Sequence, residues 1–239
     1  MTCHWFCLLA LTISSAALAT PRHKVFTQYL RHVVKDSSVD YRLAKSDHRL
    51  ARYLKQLATQ AVPTKHDEAL AWWINAYNAH TLRRVLLYYP NLSSVSSIQP
   101  SFGFFDTVDA NVGGKLYSLN QIEHEIIRKQ FKDYRIHAAL NCASISCPPL
   151  QNFAFEHTHL HGQLDRVFTT FLNDRQRNPG QHEDRLVISS LFKWYLADFG
   201  GTDGLRKIWT QLIPGSRTAT IDYSPYNWDL NDVKPKARQ

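Results

Sequence analysis

Cysteine is scarce in this chain of 239 residues, and its distribution limits what the thiols can do. Four cysteines occur, at positions 3, 7, 142 and 147. The first two lie in a segment that we interpret below as removed, which leaves Cys142 and Cys147, five residues apart. No scattered framework of disulfides can be built from two cysteines. The 220 residues that follow position 19 can bury a full core as one domain. Stability does not require a bridge, which favours a chemical role for the thiols.

The chain also lacks any run of more than two basic residues, although its formal net charge is +8. Dispersed charge of this kind is typical of a solvated surface. The sequence has no zinc finger or RNA-binding signature, so no nucleic-acid partner is expected. It has no phosphate loop, dinucleotide fingerprint or Gly-x-Ser-x-Gly elbow, so no cofactor is expected. His157, His159 and His161 alternate, but they fall in a segment with helical periodicity, where i and i+2 diverge. We therefore predict no metal site.

The N-terminal segment has the pattern of a secretory signal peptide. An apolar run over 5–19 ends in the small-residue site Ala17-Leu18-Ala19, and it is too short for a comfortable membrane span. The first four residues carry no lysine or arginine, which departs from the usual pattern. We expect cleavage after Ala19, a secreted or periplasmic location and no stable membrane insertion. One domain is expected over 20–232, with a charged tail over 233–239.

Helical periodicity predicts helices over 23–61, interrupted by a turn at 36–41, and a long helix capped by Thr64 that runs to about Leu87. Asn75 and Asn78 fall beside the apolar stripe of that helix, where buried amides need partners. They either anchor a neighbouring loop or line a site. The remaining predicted elements are a hairpin about Gly113-Gly114, helices at 158–173, 191–199 and 204–213, and strands at 186–188 and 218–223.

A helix is predicted to begin at Ser118, which forms a capping box with Gln121. At about 100° per residue, Glu123 falls within the apolar face of this helix and His124 lies at its border. A carboxylate in that position is costly unless it is paired or hydrogen-bonded. Glu123 is therefore either one half of a structural ion pair or an acid that orients a histidine.

The segment 135–150 is the most informative part of the sequence. A predicted strand over 136–141 runs into a polar turn that contains both cysteines and ends at Pro148-Pro149. Backbone N–H groups of such a turn can stabilise a thiolate and later an oxyanion. The alternatives are a Cys142–Cys147 disulfide, a buried inert thiol and, less favoured because the spacing is not Cys-x-x-Cys, a redox pair. Strand alternation predicts that His137 faces away from Cys142.

These motifs resemble the domain of unknown function 547 (DUF547) family. The resemblance covers about residues 65–230 in the same order. It rests on Ala71-Trp-Trp-Ile-Asn-Ala-Tyr-Asn78, Ser118-Leu-Asn-Gln-Ile-Glu-His124 with Ile127-Arg128, the whole stretch 135–150, Phe171-Leu-Asn-Asp174 and Phe192-Lys-Trp-Tyr195. Members are similar to papain-like and transglutaminase-like thiol enzymes. The resemblance therefore implies an α+β fold with helices packed on a small, mostly antiparallel sheet.

The resemblance also implies a site made of a cysteine, a histidine and an acid. These correspond to Cys142, His124 and Glu123, with Asn78, Asn141 and Ser144 as candidates for substrate binding. The expected function is a secreted cysteine-dependent hydrolase or acyl transferase that acts on an amide, peptide or thioester. The alternative is a non-catalytic envelope binding protein with a structural Cys142–Cys147 disulfide. The substrate would be peptide-like or another small molecule, and the sequence leaves the oligomeric state open.

Overall fold

The computed structural model of the chain describes residues 22–100 and 103–233, which form a mixed α+β fold with small sheets. The predicted signal peptide and nearly all of the predicted charged tail lie outside the described residues. The helices are α1 Lys24–Val33, α2 Tyr41–Ser46, α3 Arg49–Thr59, α4 His66–Tyr88, α5 Gly103–Asp106, a π-helix Gln121–Ile127 that continues into α6 Arg128–Phe131, α7 Leu160–Leu172, α8 Ser190–Trp194 and α9 Gly201–Leu212. Shorter 3₁₀ turns occupy Val95–Ser97, Tyr134–Ala138, His157–His159 and Pro214–Arg217.

The strands form three separate small sheets. The strands are β1 Val34–Lys35, β2 Ser38–Val39, β3 Ala110–Val112, β4 Lys115–Tyr117, β5 Gly180–His182, β6 Arg185–Ser189 and β7 Thr220–Ser224. The pairs β1–β2, β3–β4 and β5–β6 are antiparallel, while β6 and β7 are parallel. Pairing is thus mostly antiparallel, as predicted, but the helices do not pack on one common sheet.

Helix α4 lies at the centre of the core. Alanines, aromatic residues and aliphatic residues cover most of its circumference, and nearly every residue from Ala69 to Val85 is buried. A helix that is apolar on all sides needs partners on all sides. The N-terminal helices supply some of these partners, and the capping-box helix at Ser118 supplies others. Among the described residues, no helix is long and apolar enough to cross a membrane.

Of three local predictions, the capping box at Ser118 and the hairpin are confirmed and the cap at Thr64 is wrong. At Ser118 the box is confirmed: the Ser118 N–H donates to Gln121 Oε1 at 2.9 Å, and the Gln121 N–H donates to Ser118 Oγ at 3.0 Å. The hairpin about Gly113-Gly114 is confirmed by β3 and β4. The cap at Thr64 is wrong, because α4 begins at His66 and its N-cap residue, Lys65, makes no side-chain capping bond.

The predicted strand over 136–141 is also wrong. Asp133 caps a 3₁₀ turn over Tyr134–Ala138, with its carboxylate accepting from the Arg135 N–H at 2.9 Å. A short apolar run fits a buried turn as well as a strand, and an aspartate in a capping position decides between them. The alternation used to direct His137 away from Cys142 therefore does not apply.

The C-terminal strap, which we define as residues 225–233, joins three distant parts of the chain. It pairs with Val39, with Ser94 and with Ser144 through isolated bridges. Against the segment that carries the cysteines, the Ile145 N–H donates to the carbonyl of Asp229 at 2.9 Å. The Ser146 N–H likewise donates to the carbonyl of Asn227 at 3.2 Å. The strap thus brings residues far along the sequence, 225–233, next to Cys142.

Candidate active site

Both cysteines line a cavity of about 210 Å³. Its walls are mainly aromatic and aliphatic, and its polar lining groups come from separate parts of the chain. A site of this kind, mostly apolar with a few convergent polar groups, is the usual form of a small-molecule pocket. The lining residues are Tyr77, Phe105, Asn120, Glu123, His137, Leu140, Cys142, Cys147, Leu191, Trp194, Tyr195, Tyr226 and Trp228.

The turn that carries Cys142 is fixed by amide side chains. The Asn141 N–H donates to Asn78 Oδ1 at 2.9 Å, and Asn78 Nδ2 donates to the Ala139 carbonyl at 2.9 Å. Asn141 itself accepts from the Ala143 N–H at 3.0 Å and donates to the Pro148 carbonyl at 2.8 Å. Ala143 has a φ of 63°, a left-handed conformation that costs free energy for a residue with a side chain. The surrounding hydrogen bonds hold the turn in this conformation.

Hydroxyl groups surround the Cys142 sulfur. Cys142 Sγ lies 3.1 Å from Ser144 Oγ and 3.4 Å from the Tyr226 hydroxyl. Burial by itself raises the pKa of the Cys142 thiol, but hydrogen bonds from Cys147, Ser144 and Tyr226 outweigh burial and lower this pKa to about 7. Donors of this kind favour the charged form. Of the two cysteines, Cys142 is thus the one whose hydrogen bonds favour the thiolate form.

Cys147 has the opposite character. It is buried, and burial raises the pKa of its thiol well above the usual value. Its sulfur accepts the Cys142 N–H at 2.8 Å, and its carbonyl accepts from Arg177 Nε at 2.7 Å. Both cysteines are free thiols in the structure, so the disulfide of the alternative interpretation is not formed in it. Cys147 supports the turn as a protonated thiol.

His137 lines the same cavity as Cys142. Its Nε2 lies 2.8 Å from Asp198 Oδ2, and Arg128 holds the same carboxylate through bonds of 2.6 and 2.9 Å. The hydrogen bond from His137, followed by those from Arg128, holds the pKa of the Asp198 carboxyl well below its usual range. Because an ionised carboxylate only accepts, Nε2 carries the proton. In neutral His137 the lone pair is then on Nδ1.

Tyr195 joins the remaining charged groups of the site. Its ring stacks on His137 with centroids 3.9 Å apart, and the Arg128 guanidinium lies 4.8 Å from its ring centroid. Its hydroxyl donates to Glu123 Oε1 at 2.6 Å. Glu123 is 8 % exposed, so it is buried and partnered as the apolar-face argument predicts. Its partner is a tyrosine, whereas the sequence suggested an ion pair or a histidine.

His124 is not among the residues that line the cavity. Its Nδ1 lies 3.1 Å from Arg128 Nη1, and since a guanidinium only donates, the lone pair of this nitrogen is occupied. The π-helical hydrogen bonding extends to Arg128, whose backbone N–H donates to the carbonyl of Glu123 five residues earlier. The structure therefore brings Glu123 to the cavity with Cys142, while His124 supports Arg128.

The three candidates for substrate binding do not line the cavity. The side chains of Asn78 and Asn141 hydrogen-bond to backbone groups of the cysteine turn. For Asn78 this is the loop-anchoring role that the sequence left open. Ser144 contacts the Cys142 sulfur directly. Sequence reasoning missed Asp198, Tyr195 and Tyr226, which come from elements distant in sequence from the cysteines. Among the described residues, no group of three or more histidine, cysteine or acidic side chains could hold a metal ion.

Comparison with known proteins gives one match. No curated protein and no solved structure matches the chain. Residues 62–172 match the model of the family described as "Protein of unknown function, DUF547". The matched region contains α4, the π-helix and both cysteines, whereas Asp198 and the C-terminal strap follow it. Over residues 62–172 the chain is therefore similar to the DUF547 family.

Proposed function

We propose that this protein is a cysteine-dependent hydrolase or acyl transferase that acts on an amide, peptide or thioester. Cys142 is the nucleophile in this proposal, and His137, oriented by Asp198, is the base. The observation that carries it is that a thiol with a lowered pKa and an imidazole held by a carboxylate both line the same cavity. The proposal includes export through the N-terminal segment and a similarity of the site to papain-like and transglutaminase-like enzymes.

We propose His137 rather than His124 as the base because the two rings differ in whether the Nδ1 lone pair is available. The Nδ1 of His137 carries a lone pair once Nε2 donates to Asp198. The Nδ1 of His124 is bound to Arg128. A general base needs a free acceptor near the proton that it removes, and only His137 combines such an acceptor with a place in the cavity lining.

The proposed reaction has two halves. His137 takes the proton of Cys142, and the thiolate attacks the carbonyl carbon of the substrate to form a tetrahedral intermediate. The imidazolium then gives its proton to the leaving nitrogen or sulfur, and the acyl group remains on Cys142 as a thioester. Water, or an acceptor amine or hydroxyl, loses a proton to His137 and attacks this thioester. Release of the acyl product restores the thiol.

Two backbone N–H groups of the thiol turn are already occupied. The Cys142 N–H donates to Cys147 Sγ, and the Ala143 N–H donates to Asn141 Oδ1. The hydroxyl groups of Ser144 and Tyr226 lie at the Cys142 sulfur, and the Ser144 N–H hydrogen-bonds to it as well. We therefore assign the charge stabilisation of the first step to these two hydroxyl groups and the Ser144 N–H.

The rate of iodoacetamide alkylation against pH, followed at Cys142 by peptide mass mapping, tests the thiol and its base. We expect fast labelling of the parent at pH 6, since a thiol with a pKa of about 7 is roughly one-tenth ionised there. His137→Ala should move labelling to higher pH, while His124→Ala should resemble the parent. The reverse result would restore His124 as the base.

Acyl transfer itself is tested by mass spectrometry after addition of an acetyl thioester. We expect an acetyl adduct on Cys142 that is absent from Cys142→Ala and that decays more slowly in His137→Ala. Cys147→Ala is the matched control, and it should still form the adduct. Labelling by iodoacetamide without any adduct from thioesters, esters or peptides would reject the enzyme and favour a binding role.

A further inference from the structure

Glu123 brings a carboxylate without a salt-bridge partner to a cavity whose lining is mainly aromatic and aliphatic. Its carboxylate receives a hydrogen bond from the neutral Tyr195 hydroxyl. It forms no salt bridge with the described residues. A buried carboxylate without a cation is costly. This cost would be offset by a ligand that supplies the missing positive charge.

The cations of the chain do not supply that charge inside the cavity. No lysine or arginine is among the residues that line it. Arg128 is close enough to Glu123 to feel its charge, but its guanidinium is engaged by Asp198. The cavity is therefore anionic within a protein whose formal net charge is +8.

The aromatic walls also favour a positively charged ligand. Trp194, Tyr226 and Trp228 pack together with ring centroids 4.5–5.5 Å apart, and all three line the cavity. Tyr77 and Tyr195 line it as well. The faces of such rings attract ammonium and guanidinium groups. An anionic ligand would meet Glu123 and find no lysine or arginine in the lining.

We propose that the cavity binds a positively charged amine or guanidinium group in contact with Glu123 and the neighbouring aromatic rings. The substrate of Cys142 is accordingly a cationic amide, peptide or thioester. That last statement rests on the proposed function, whereas the charge preference of the cavity can be measured without catalysis.

The test compares three methanethiosulfonates that differ in charge: 2-aminoethyl, ethyl and 2-sulfonatoethyl. In each case the Cys142 thiolate attacks the sulfenyl sulfur, a mixed disulfide forms and methanesulfinate leaves. Each rate, measured at Cys142 by peptide mass mapping, is divided by the rate with 2-mercaptoethanol to remove intrinsic reactivity. We expect the order 2-aminoethyl, ethyl, 2-sulfonatoethyl, with about a tenfold separation between the two charged reagents.

Glu123→Gln is the decisive variant, because glutamine keeps an acceptor for the Tyr195 hydroxyl and loses only the charge. It should reduce the ratio of the charged reagents to about one. Glu125→Gln is the matched control, since Glu125 is exposed on the same helix and outside the cavity lining. This control should keep the parent ratio. If Glu123→Gln fails to fold by circular dichroism, the order in the parent decides the question.

Several outcomes would overturn the inference: equal rates or an anion preference in the parent, fastest reaction with the ethyl reagent, or an unchanged ratio in a folded Glu123→Gln. Failure of the proposed function gives a different pattern. In that case the charge preference is present, and no acyl adduct forms on Cys142 with cationic thioesters such as those of lysine. Acyl transfer without charge preference rejects only the present inference.

Discussion

Two parts of the cavity wall are held in place by different kinds of interaction. The thiol turn, residues 141–147, is fixed by uncharged amide and backbone hydrogen bonds to Asn78 and the C-terminal strap, with Arg177 bound to its carbonyls. The charge network of Glu123, Arg128, His137 and Asp198 is held by ion pairs and a tyrosine. Both Arg128 and Asp198 keep 26 % of their side-chain surface exposed.

This contrast separates the position of the proposed nucleophile, Cys142, from the protonation state of the proposed base, His137. The amide and backbone hydrogen bonds of the thiol turn do not titrate in the neutral range, so the backbone of the turn keeps its geometry there. Partly exposed ion pairs weaken with salt and with protonation of the carboxylate. The charge network should therefore respond to solution conditions under which the thiol turn does not.

Removing Arg177 should have the largest effect, because it breaks the support of the thiol turn. Its guanidinium binds the Cys147 and Ile145 carbonyls and Asp174, and the residue is 6 % exposed. Arg177→Met should lower the free energy of unfolding by about 3–5 kcal/mol, since it leaves a partly buried carboxylate unpaired. Urea unfolding measures this, with exposed Arg175→Met as the control. Equal losses in both variants would contradict the support role.

Glu123→Ala breaks the charge network at the more buried of its two carboxylates. It leaves the Tyr195 hydroxyl without its acceptor, which should cost about 1–3 kcal/mol. Thermal unfolding followed by circular dichroism gives the measurement. Glu123→Gln should cost less, because an acceptor remains. An unchanged melting temperature in Glu123→Ala would mean that the bond to Tyr195 contributes nothing to stability.

Acid should weaken the charge network through Asp198. The hydrogen bond from His137, and then those from Arg128, depress the pKa of Asp198 in the folded protein. Its contribution to stability is therefore fully present above the unfolded value of about 4, and it is lost as the pH falls below that value. Between pH 6 and pH 3, the stability advantage of the parent over Asp198→Asn should shrink by about 1–2 kcal/mol.

Chemical unfolding at a series of pH values measures this advantage. Asp203→Asn is the control, since Asp203 is exposed in the first turn of α9 and should give a smaller change. A stability difference for Asp198→Asn that stays constant from pH 6 to pH 3 would show that Asp198 is not the acid-sensitive member of the network.

The smallest expected effect concerns the hydrogen bond between Tyr226 and the Cys142 sulfur in the thiol turn. Tyr226→Phe removes one donor from the Cys142 sulfur, so the pKa of this thiol should rise above about 7. Loss of one hydrogen bond of about 1 kcal/mol should slow alkylation at pH 6 about fivefold. Tyr223→Phe is the control on the preceding strand and should leave the rate unchanged. No change in Tyr226→Phe would assign the acidity to Ser144 and Cys147.

Short sequence patterns correctly predicted the features that depend on residues close together in the chain. The capping box of Ser118, the hairpin at Gly113-Gly114 and the burial of Glu123 each depend on residues within a few positions of one another. The strand at 136–141 failed because a short apolar run is ambiguous, and Asp133 redirected it into a 3₁₀ turn. The predicted strand was also the argument against His137 as the base, whereas His124 came from the resemblance to the family.

The rest of the site depends on contacts that no local pattern contains. Asp198 reaches His137 across 61 positions, and Tyr226 reaches Cys142 across 84. Without the tertiary fold, neither partner is distinguishable from the other aspartates and tyrosines of the chain. The resemblance to the family pointed to the cysteine itself, since Cys142 belongs to a motif of adjacent residues.

The C-terminal strap has a consequence for the order in which the protein becomes reactive during its synthesis. A ribosome makes the chain from its N-terminus, so Cys142 emerges long before Tyr226. Until the strap docks, the thiol lacks its hydroxyl donor from Tyr226, and Ile145 and Ser146 lack their backbone acceptors. A nascent chain therefore carries an ordinary thiol with the usual pKa near 8.5. The hydrogen bond from Tyr226 that lowers the pKa of Cys142 therefore forms only after the C-terminal strap has been made and has docked.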